Sequence, residues 1–358
     1  MYLLLAMATQ VLAAAASPTV DCDEASSCRQ CSIALSDASR LSDVSTTNRI
    51  ARLSTGTIVL SDQYESDRVR FLSRDGEPLR TAGRRGAGPG EYTDIVDLEV
   101  DRSDRVHVFD YDGRWTILDS LGTVLETRPL PRAVYQAGVA MLPDGGLVIN
   151  RRDPHPERFG YWLFMTDSTG TVEAPMGDRF SDVPLSAAVS PVALRHVLPI
   201  DDRIWVVHVY DYRIELYDAS GEQLRTITRD ADWFPEYDYD RWAEYVRNGT
   251  EIFTDDGHRP YISGAMIDDG GRLWVAITLG RPGWREAIEA GRVSDAFETV
   301  VEVWDLSRPR VLASCRFPFY TRGFADSREL ITVVEMPYRT ELRLRRVRLR
   351  RSDRGASR

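Results

Sequence analysis

Four short segments between residues 96 and 130 decide the fold: VDLEVD (96–101), RVHVFD (105–110), RWTILD (114–119) and VLETRPL (124–130). Within each segment, apolar side chains largely alternate with polar ones, which is the pattern of a β-strand in a packed sheet. Short turn-forming stretches with Asp, Ser and Gly separate them. Strands of this length joined by tight turns predict one four-stranded antiparallel sheet.

The same unit recurs along the chain. A turn followed by an apolar strand is found six times, and its anchor residues are Ile58, Val106, Leu147, Ile204, Leu273 and Leu330. A second turn follows four of these copies, with its glycine at Gly76, Gly122, Gly170 and Gly221. Four-stranded units at this period predict an all-β protein, a six-bladed β-propeller.

The last unit has only three strands, TRGFADS (321–327), ELITVVEM (329–336) and ELRLRRVRLR (341–350). The segment SIALSDASRL (32–41) has no unit of its own. We expect it to supply the outer strand of the sixth blade, because this closes the ring and leaves no open sheet edge. The apolar residues near the C-terminus change phase at Arg345–Arg346, which predicts a β-bulge there.

A glycine-rich stretch, GRRGAGPGEY (83–92), joins the first two units. A phosphate-binding loop needs a helix after its glycines. An alternating strand follows here instead, and Pro89 lacks the amide that would bind an anion. We interpret the stretch as a joint between blades, with Arg84, Arg85 and Glu91 as candidate binding residues.

The GxGPGE-aromatic element of this joint, the Asp-Gly turns and the period resemble bacterial six-bladed propellers related to NHL repeats, over roughly residues 28–350. The resemblance implies that an aspartate ending a second strand, such as Asp110, bonds the arginine that opens strand three or the loop backbone. It assigns no activity, because this scaffold has many uses. Lactonase-type propellers hold a divalent ion with Glu, Asn and Asp, so Asp94, Asp110 and Asn150 are weak candidate metal ligands.

Composition limits the partners. The net charge of −10 argues against general nucleic-acid binding. All 45 basic residues are arginine, which excludes a Schiff-base lysine and the lysine of a phosphate loop. Apolar residues make up 43% of the chain, enough for a large core.

The N-terminus predicts export to the periplasm, cell surface or extracellular space. Residues 1–16 resemble a signal peptide with an A-x-A-like site, and they are too short and alanine-rich for a membrane span. We expect a cysteine-containing segment at 17–31, the propeller at 32–351 and a tail at 352–358. The chain has four cysteines, Cys22, Cys28, Cys31 and Cys315. An even number of cysteines in an exported chain favours structural disulfides, and three pairings are possible. The alternative is a redox or metal-binding role for the CRQC motif.

Propeller topology places the connections from strand two to three and from strand four to the next blade on one face. The four longest insertions fall there, at 151–160, 178–191, 230–260 and 280–297. Two of them predict short helices, YDRWAEYVRN and PGWREAIEAGR, from aromatic and apolar residues three or four apart. These aromatics either pack on the propeller rim or form a wall over the pore; the candidate binding residues are Trp233, Tyr237, Trp242 and Trp284.

The chain carries five histidines, His107, His155, His196, His208 and His258, and no two have metal-ligand spacing. His155 and His258 lie in insertions and join the candidate binding residues. We therefore expect a monomeric, non-catalytic module that binds a protein, peptide or carbohydrate through the insertion-bearing face, with no cofactor. The alternative is a metal-dependent hydrolase or lyase with a divalent ion at the pore.

Overall fold

The protein is described from a computed structural model. The structure describes residues 31–42, 44, 47, 49–61, 67–130, 134–151, 157–158, 160–177, 179, 194–236, 259–325, 329–336 and 339–351. These residues form a ring of six four-stranded antiparallel sheets and one two-stranded sheet, which confirms the six-bladed β-propeller.

The strands follow the order predicted from the repeat. Blade 1 contains β2 (Arg49–Arg52), β3 (Ile58–Ser61), β4 (Val69–Leu72) and β5 (Pro78–Ala82), and the joint contains β6 (Arg84–Arg85) and β7 (Glu91–Tyr92). Blade 2 contains β8 (Ile95–Val100), β9 (Val106–Asp110), β10 (Arg114–Leu118) and β11 (Val124–Pro129). Blade 3 contains β12 (Val134–Met141), β13 (Leu147–Arg151), β14 (Leu163–Thr166) and β15 (Val172–Met176).

Blade 4 contains β16 (Arg195–Ile200), β17 (Arg203–His208), β18 (Arg213–Asp218) and β19 (Gln223–Thr228). Blade 5 contains β20 (Tyr261–Ile267), β21 (Arg272–Gly280), β22 (Phe297–Asp305) and β23 (Arg310–Phe317). Blade 6 contains β24 (Thr321–Ala325), β25 (Glu329–Met336), β26 (Arg339–Arg351) and, as its outer strand, β1 (Cys31–Leu41).

The N-terminal strand closes the ring as predicted. β1 pairs antiparallel with β26 over its whole length, from Cys31 opposite Arg351 to Leu41 opposite Leu342. The sixth sheet therefore contains both ends of the described chain, and no blade lacks its fourth strand. The ring therefore has no incomplete blade, and each blade keeps only short edges at its inner and outer strands.

The prediction of a β-bulge at Arg345–Arg346 is wrong, because the irregularity lies in the partner strand β1 and not in β26. β26 pairs with β25 without interruption, and the register shift lies in β1, between Asp37 and Ser39. The phase of β26 changes because its two halves bury opposite faces: Leu344 packs toward blade 1 and Val347 toward blade 5. A strand covered on both faces does not need a bulge to do this.

The core lies between neighbouring blades. In the described residues, six clusters of buried apolar side chains each join two adjacent sheets around the ring. Successive residues of one strand serve successive interfaces: Ile58 faces blade 6 and Val59 faces blade 2. The second strands are therefore buried on both sides, which explains their nearly continuous apolar sequences.

The turns from strand three to four are closed by a repeated aspartate. The Asp119 carboxylate accepts the amides of Leu121 at 2.9 Å and Thr123 at 2.8 Å. Gly122 completes this turn at a φ of 87°, which favours glycine. Asp167 and Asp218 organise the same turn in blades 3 and 4.

The described residues include one helical insertion. Helices α1 (Trp284–Glu289) and α2 (Val293–Ala296) both lie between β21 and β22, within the fourth predicted insertion. The other predicted helix, at 239–248, lies outside the described residues. None of the described helices has the length and hydrophobicity of a membrane span.

Candidate binding site at the channel mouth

The two faces of the ring differ in their connections. Those from strand two to three and from strand four to the next blade emerge on one face, which we call the insertion face. It carries the connections 152–162, 177–194, 229–260 and 281–296. The opposite, plain face carries mainly tight turns. All six inner strands begin at the insertion face and run along the central channel toward the plain face.

An ion pair lies on the channel wall near the insertion face. Arg49, the first residue of β2, donates to Asp97 of β8 from Nε at 2.7 Å and from Nη2 at 3.2 Å. Asp97 is 1% exposed and also accepts the amides of Leu98 at 2.9 Å and Val139 at 3.2 Å. Four donors thus saturate this carboxylate. The charge of Asp97 holds the pKa of Arg49 above its usual range.

Contacts of this kind satisfy backbone amides at the channel edge of blade 3, where no neighbouring strand pairs. The inner strand of a blade has no strand partner on its channel side, so its amides need other acceptors. Asp97 accepts the amide of Val139 in β12, and Glu99 accepts the next channel-facing amide, that of Met141, at 3.3 Å. Burial and then the charge of Asp97 raise the pKa of Glu99 to about 7.

His196 of blade 4 continues the ring of polar groups. Its Nε2 lies 3.0 Å from the carbonyl oxygen of Ile262 in blade 5, which fixes the tautomer with the proton on Nε2. Burial and, in smaller part, the charge of Arg49 lower the pKa of His196 to about 4. The imidazole is therefore neutral at pH 7.

Three half-buried tyrosines lie at the insertion-face end of blades 4, 5 and 6. The rings of Tyr210 and Tyr261 are 6.0 Å apart, and the hydroxyls of Tyr261 and Tyr320 are 3.3 Å apart. Burial raises the pKa of both Tyr210 and Tyr261. Tyr320 also packs on Phe297 beneath the helical insertion, at 5.1 Å between ring centres.

We call this set the axial cluster; its members are Arg49, Asp97, Glu99, His196, Tyr210, Tyr261 and Tyr320. Blade 3 takes part through the amides of Val139 and Met141, so all six blades contribute. The charged members are paired or raised in pKa, and the phenols supply flat apolar faces with hydroxyl groups. Phenol faces and hydroxyl groups of this kind suit a polar, uncharged or flat ligand.

The glycine-rich joint is a self-contained loop. Arg84 donates to Oε1 of Glu91 from Nε at 2.9 Å and Nη2 at 2.7 Å, and Oε2 accepts the amide of Gly88 at 2.9 Å. The Gly88 amide and Arg84 lower the pKa of Glu91. Gly83 has a φ of 87°, and a Cβ there would lie 2.4 Å from the Tyr92 ring. Arg85 is exposed. A binding role for Arg84, Arg85 and Glu91 stays a prediction.

The three weak metal candidates lie near the ends of blades 2 and 3, and two of them have hydrogen-bond partners within the fold. Asp110 is fully buried and accepts amides from Thr93 at 2.7 Å and Asp112 at 2.8 Å, and its strand-three arginine, Arg114, at 3.3 Å. Asp94 lies half-buried beside it. Asn150 is fully buried and donates to the carbonyl oxygen of Trp162 at 2.9 Å. Metal binding by these residues stays a prediction.

The described aromatic candidates pack against buried clusters, Trp233 at the core between blades 4 and 5 and Trp284 at the helical insertion. The Trp233 ring meets those of Tyr212 at 6.4 Å and Phe234 at 6.2 Å, beside the core between blades 4 and 5. Trp284 packs beside Ala287 at the helical insertion. The candidates His155, Tyr237, Trp242 and His258 lie outside the described residues.

Two histidines of second strands have structural partners. His107 accepts the indole N–H of Trp115 at its Nδ1, 2.9 Å away, and its Nε2 faces Asp101 at 3.3 Å. His208 lies 3.2 Å from Glu215, and burial lowers the pKa of His208 to about 4. In the part of the chain that the structure describes, no three His, Cys, Asp or Glu residues are grouped to hold a metal ion.

Cys315 is buried between blades 5 and 6. The side chains of Cys22, Cys28 and Cys31 lie outside the described residues, so the disulfides stay a prediction.

The axial cluster was missed in the sequence because its members are far apart in the chain. A local signal existed in the first strand of blade 2. Asp97 and Glu99 occupy alternate positions of an otherwise apolar strand, where two carboxylates on one side need partners. That pattern could have placed polar contacts at the channel, although it could not have identified Arg49 or His196.

Residues 39–227 match the DUF5128 family, which is described as a 6-bladed beta-propeller. A presumptive exported protein of Bacteroides fragilis is similar in structure, with a TM-score of 0.61 and 13% identity over 92% of this chain and 98% of its own. A DUF4221 member of Bacteroides vulgatus has a TM-score of 0.58 and 10% identity, and the match covers 89% of this chain and 99% of its own.

A catalytically inactive virginiamycin B lyase of Staphylococcus aureus has a TM-score of 0.47 and 9% identity, and the match covers 87% of this chain and 99% of its own. At such identities the likenesses show the fold alone. No curated protein matches this chain. The relation to NHL repeats stays a prediction.

Proposed function

The chain belongs to the DUF5128 family of 6-bladed beta-propellers, and we propose that it is an exported binding module that holds its ligand on the insertion face. The observation that carries this proposal is the axial cluster. Polar groups of the inner strands lie along the channel, and three tyrosines lie at the insertion-face end of blades 4, 5 and 6, on the face where the four longest connections emerge. Long loops over a rigid scaffold are a common place for binding.

The chemistry of the cluster favours a peptide or carbohydrate ligand. Phenol rings offer apolar faces for sugar rings or side chains, and their hydroxyls offer hydrogen bonds. Arg49 uses Nε and Nη2 for Asp97, and its Nη1 has no partner among the described residues. Because its side chain is 32% exposed, this group can donate to a ligand oxygen.

The proposal includes export and a monomeric state. The N-terminal apolar segment with its A-x-A-like site supports export. The similarity to a presumptive exported protein of Bacteroides fragilis agrees with this but concerns the fold. The sixth blade completed by β1 supports a monomer, because no blade needs a strand from a second copy.

Saturation-transfer NMR with a defined panel of mono- and disaccharides and blocked dipeptides tests this proposal. We expect at least one class to receive saturation from the wild-type protein and to lose it in Tyr210→Ala. Tyr111→Ala is the matched control, because Tyr111 is 53% exposed on the same face but lies in blade 2. A panel that binds equally to both variants would place the site elsewhere.

A further inference from the structure

A second surface lies on the outside of blade 6. β1 and β26 form a two-stranded ribbon with eight arginines and two acids, a net charge of +6 in a chain whose net charge is −10. The end of β26 continues past the first residue of β25, since Glu329 pairs with Arg346 and residues 347–351 pair with β1 alone. This end of the ribbon lies toward the plain face.

The two sides of the ribbon differ. One side is apolar: Ile33, Leu35, Val347 and Leu349 pack against blade 5. On the other side, Ser36 lies opposite Arg346 and Ala34 lies opposite Arg348. Arg350 follows two residues later on that side. The small side chains of β1 leave the guanidinium groups uncovered, and Arg348 and Arg350 are exposed.

The arginines of this side are not neutralised. Arg348 and Arg350 have no ion-pair partner among the described residues. Arg346 contacts the buried Glu329 at 3.3 Å, but Arg52 already donates to that carboxylate at 3.0 Å. Arg52 and Arg346 therefore share one acid. Successive residues on one side of a strand are about 7 Å apart, so Arg346, Arg348 and Arg350 form a straight row of charges.

We propose that this row binds a linear anionic polysaccharide, through its carboxylate or sulfate groups. A flat anionic membrane fits less well, because the plain-face turns of the two neighbouring blades present exposed acids, Asp75 and Glu77 in blade 1 and Asp269 in blade 5. Single-stranded nucleic acid also fits less well, since the aromatic ring that β26 contacts, Phe319 under Arg345, lies on the opposite, apolar side of the ribbon and not on the side of the row. A line of charges next to an acidic face selects a thin, linear partner.

Two probes test the proposal by fluorescence anisotropy: a heparin oligosaccharide and an oligogalacturonate. We expect Arg348→Ser/Arg350→Ser to weaken binding about thirtyfold, the loss of two surface ion pairs at the upper end of their usual strength. Each guanidinium contact releases about one counterion on binding. The slope of log affinity against log salt concentration should therefore be shallower by about two in the double variant than in the wild type.

Two further variants separate charge from folding. Arg348→Lys/Arg350→Lys keeps the charge and should retain most of the affinity. Arg102→Ser/Arg203→Ser makes the same change of charge at exposed arginines of the plain-face turns and should leave binding unchanged. Either an equal loss in this control or wild-type binding to neither probe would overturn the proposal. So would equal affinity for single-stranded DNA or for phosphatidylserine vesicles.

Discussion

The pair Arg49–Asp97 gives the sharpest test of the axial cluster. In Asp97→Asn the side chain keeps its shape but loses the charge that four donors share. Breaking a buried ion pair costs about 3–5 kcal/mol. Because the Arg49 side chain is 32% exposed and water compensates in part, we expect the free energy of unfolding to fall by about 2–3 kcal/mol.

The control uses the same two blades. On the plain face, Asp104 of blade 2 accepts the amide of Ser54 of blade 1 at 2.7 Å, in an exposed setting. We expect Asp104→Asn to cost less than about 1 kcal/mol. Urea unfolding followed by tryptophan fluorescence measures both variants, and a shift of the midpoint without a change of slope reports stability.

A double-mutant cycle separates the pair from its surroundings. Arg49→Met removes the charge that Asp97→Asn leaves unpaired, so the double variant should be more stable than the sum of the two losses predicts, by about 1–2 kcal/mol. A loss below about 1 kcal/mol in Asp97→Asn, or strictly additive variants, would refute our reasoning that this pair links the blades at the channel.

Three further predictions concern the joint, the pH response and the metal. Gly83→Ala should lower the free energy of unfolding in urea by more than about 2 kcal/mol, because the new Cβ would meet the Tyr92 ring. The control Gly291→Ala, at a φ of 72° but with open space around the new Cβ, should lower it by about 1 kcal/mol. The pKa of His196 is lowered to about 4 in the folded protein, so the unfolded state binds a proton at this residue first as the pH falls below about 6.5. Between about pH 6.5 and 4, the free energy of unfolding should therefore fall by up to about 1.4 kcal/mol per pH unit, and more gently in His196→Gln. Equal slopes in the two proteins would contradict this. Protein purified without chelators should contain less than stoichiometric metal by mass spectrometry; one ion per chain would favour the hydrolase or lyase hypothesis.

The fold could be predicted because propeller blades repeat a strong local pattern. Turn residues and apolar second strands recur at each anchor from Ile58 to Leu330, and each strand carries enough signal by itself. The exception was the phase change at Arg345–Arg346. A change of phase has two physical causes, an extra residue or a change in which neighbour is buried, and only the packing of Leu344 and Val347 distinguishes them.

The site was harder to predict because it depends on where six separate strands meet. The sequence directed attention to insertion aromatics such as Trp233, which packs beside the core between blades 4 and 5. Arg49 and His196 stand alone in their own strands and carry no motif. Their relation appears only when the ring brings the inner strands around one axis.

The most direct test of the insertion-face proposal is hydrogen–deuterium exchange with and without the strongest compound of the saccharide and dipeptide panel. We predict that the compound protects backbone amides around Tyr210, Tyr261 and Tyr320, and leaves the plain-face turns at 119–123 and 167–171 unchanged. Protection confined to those turns would contradict the assignment of binding to the insertion face.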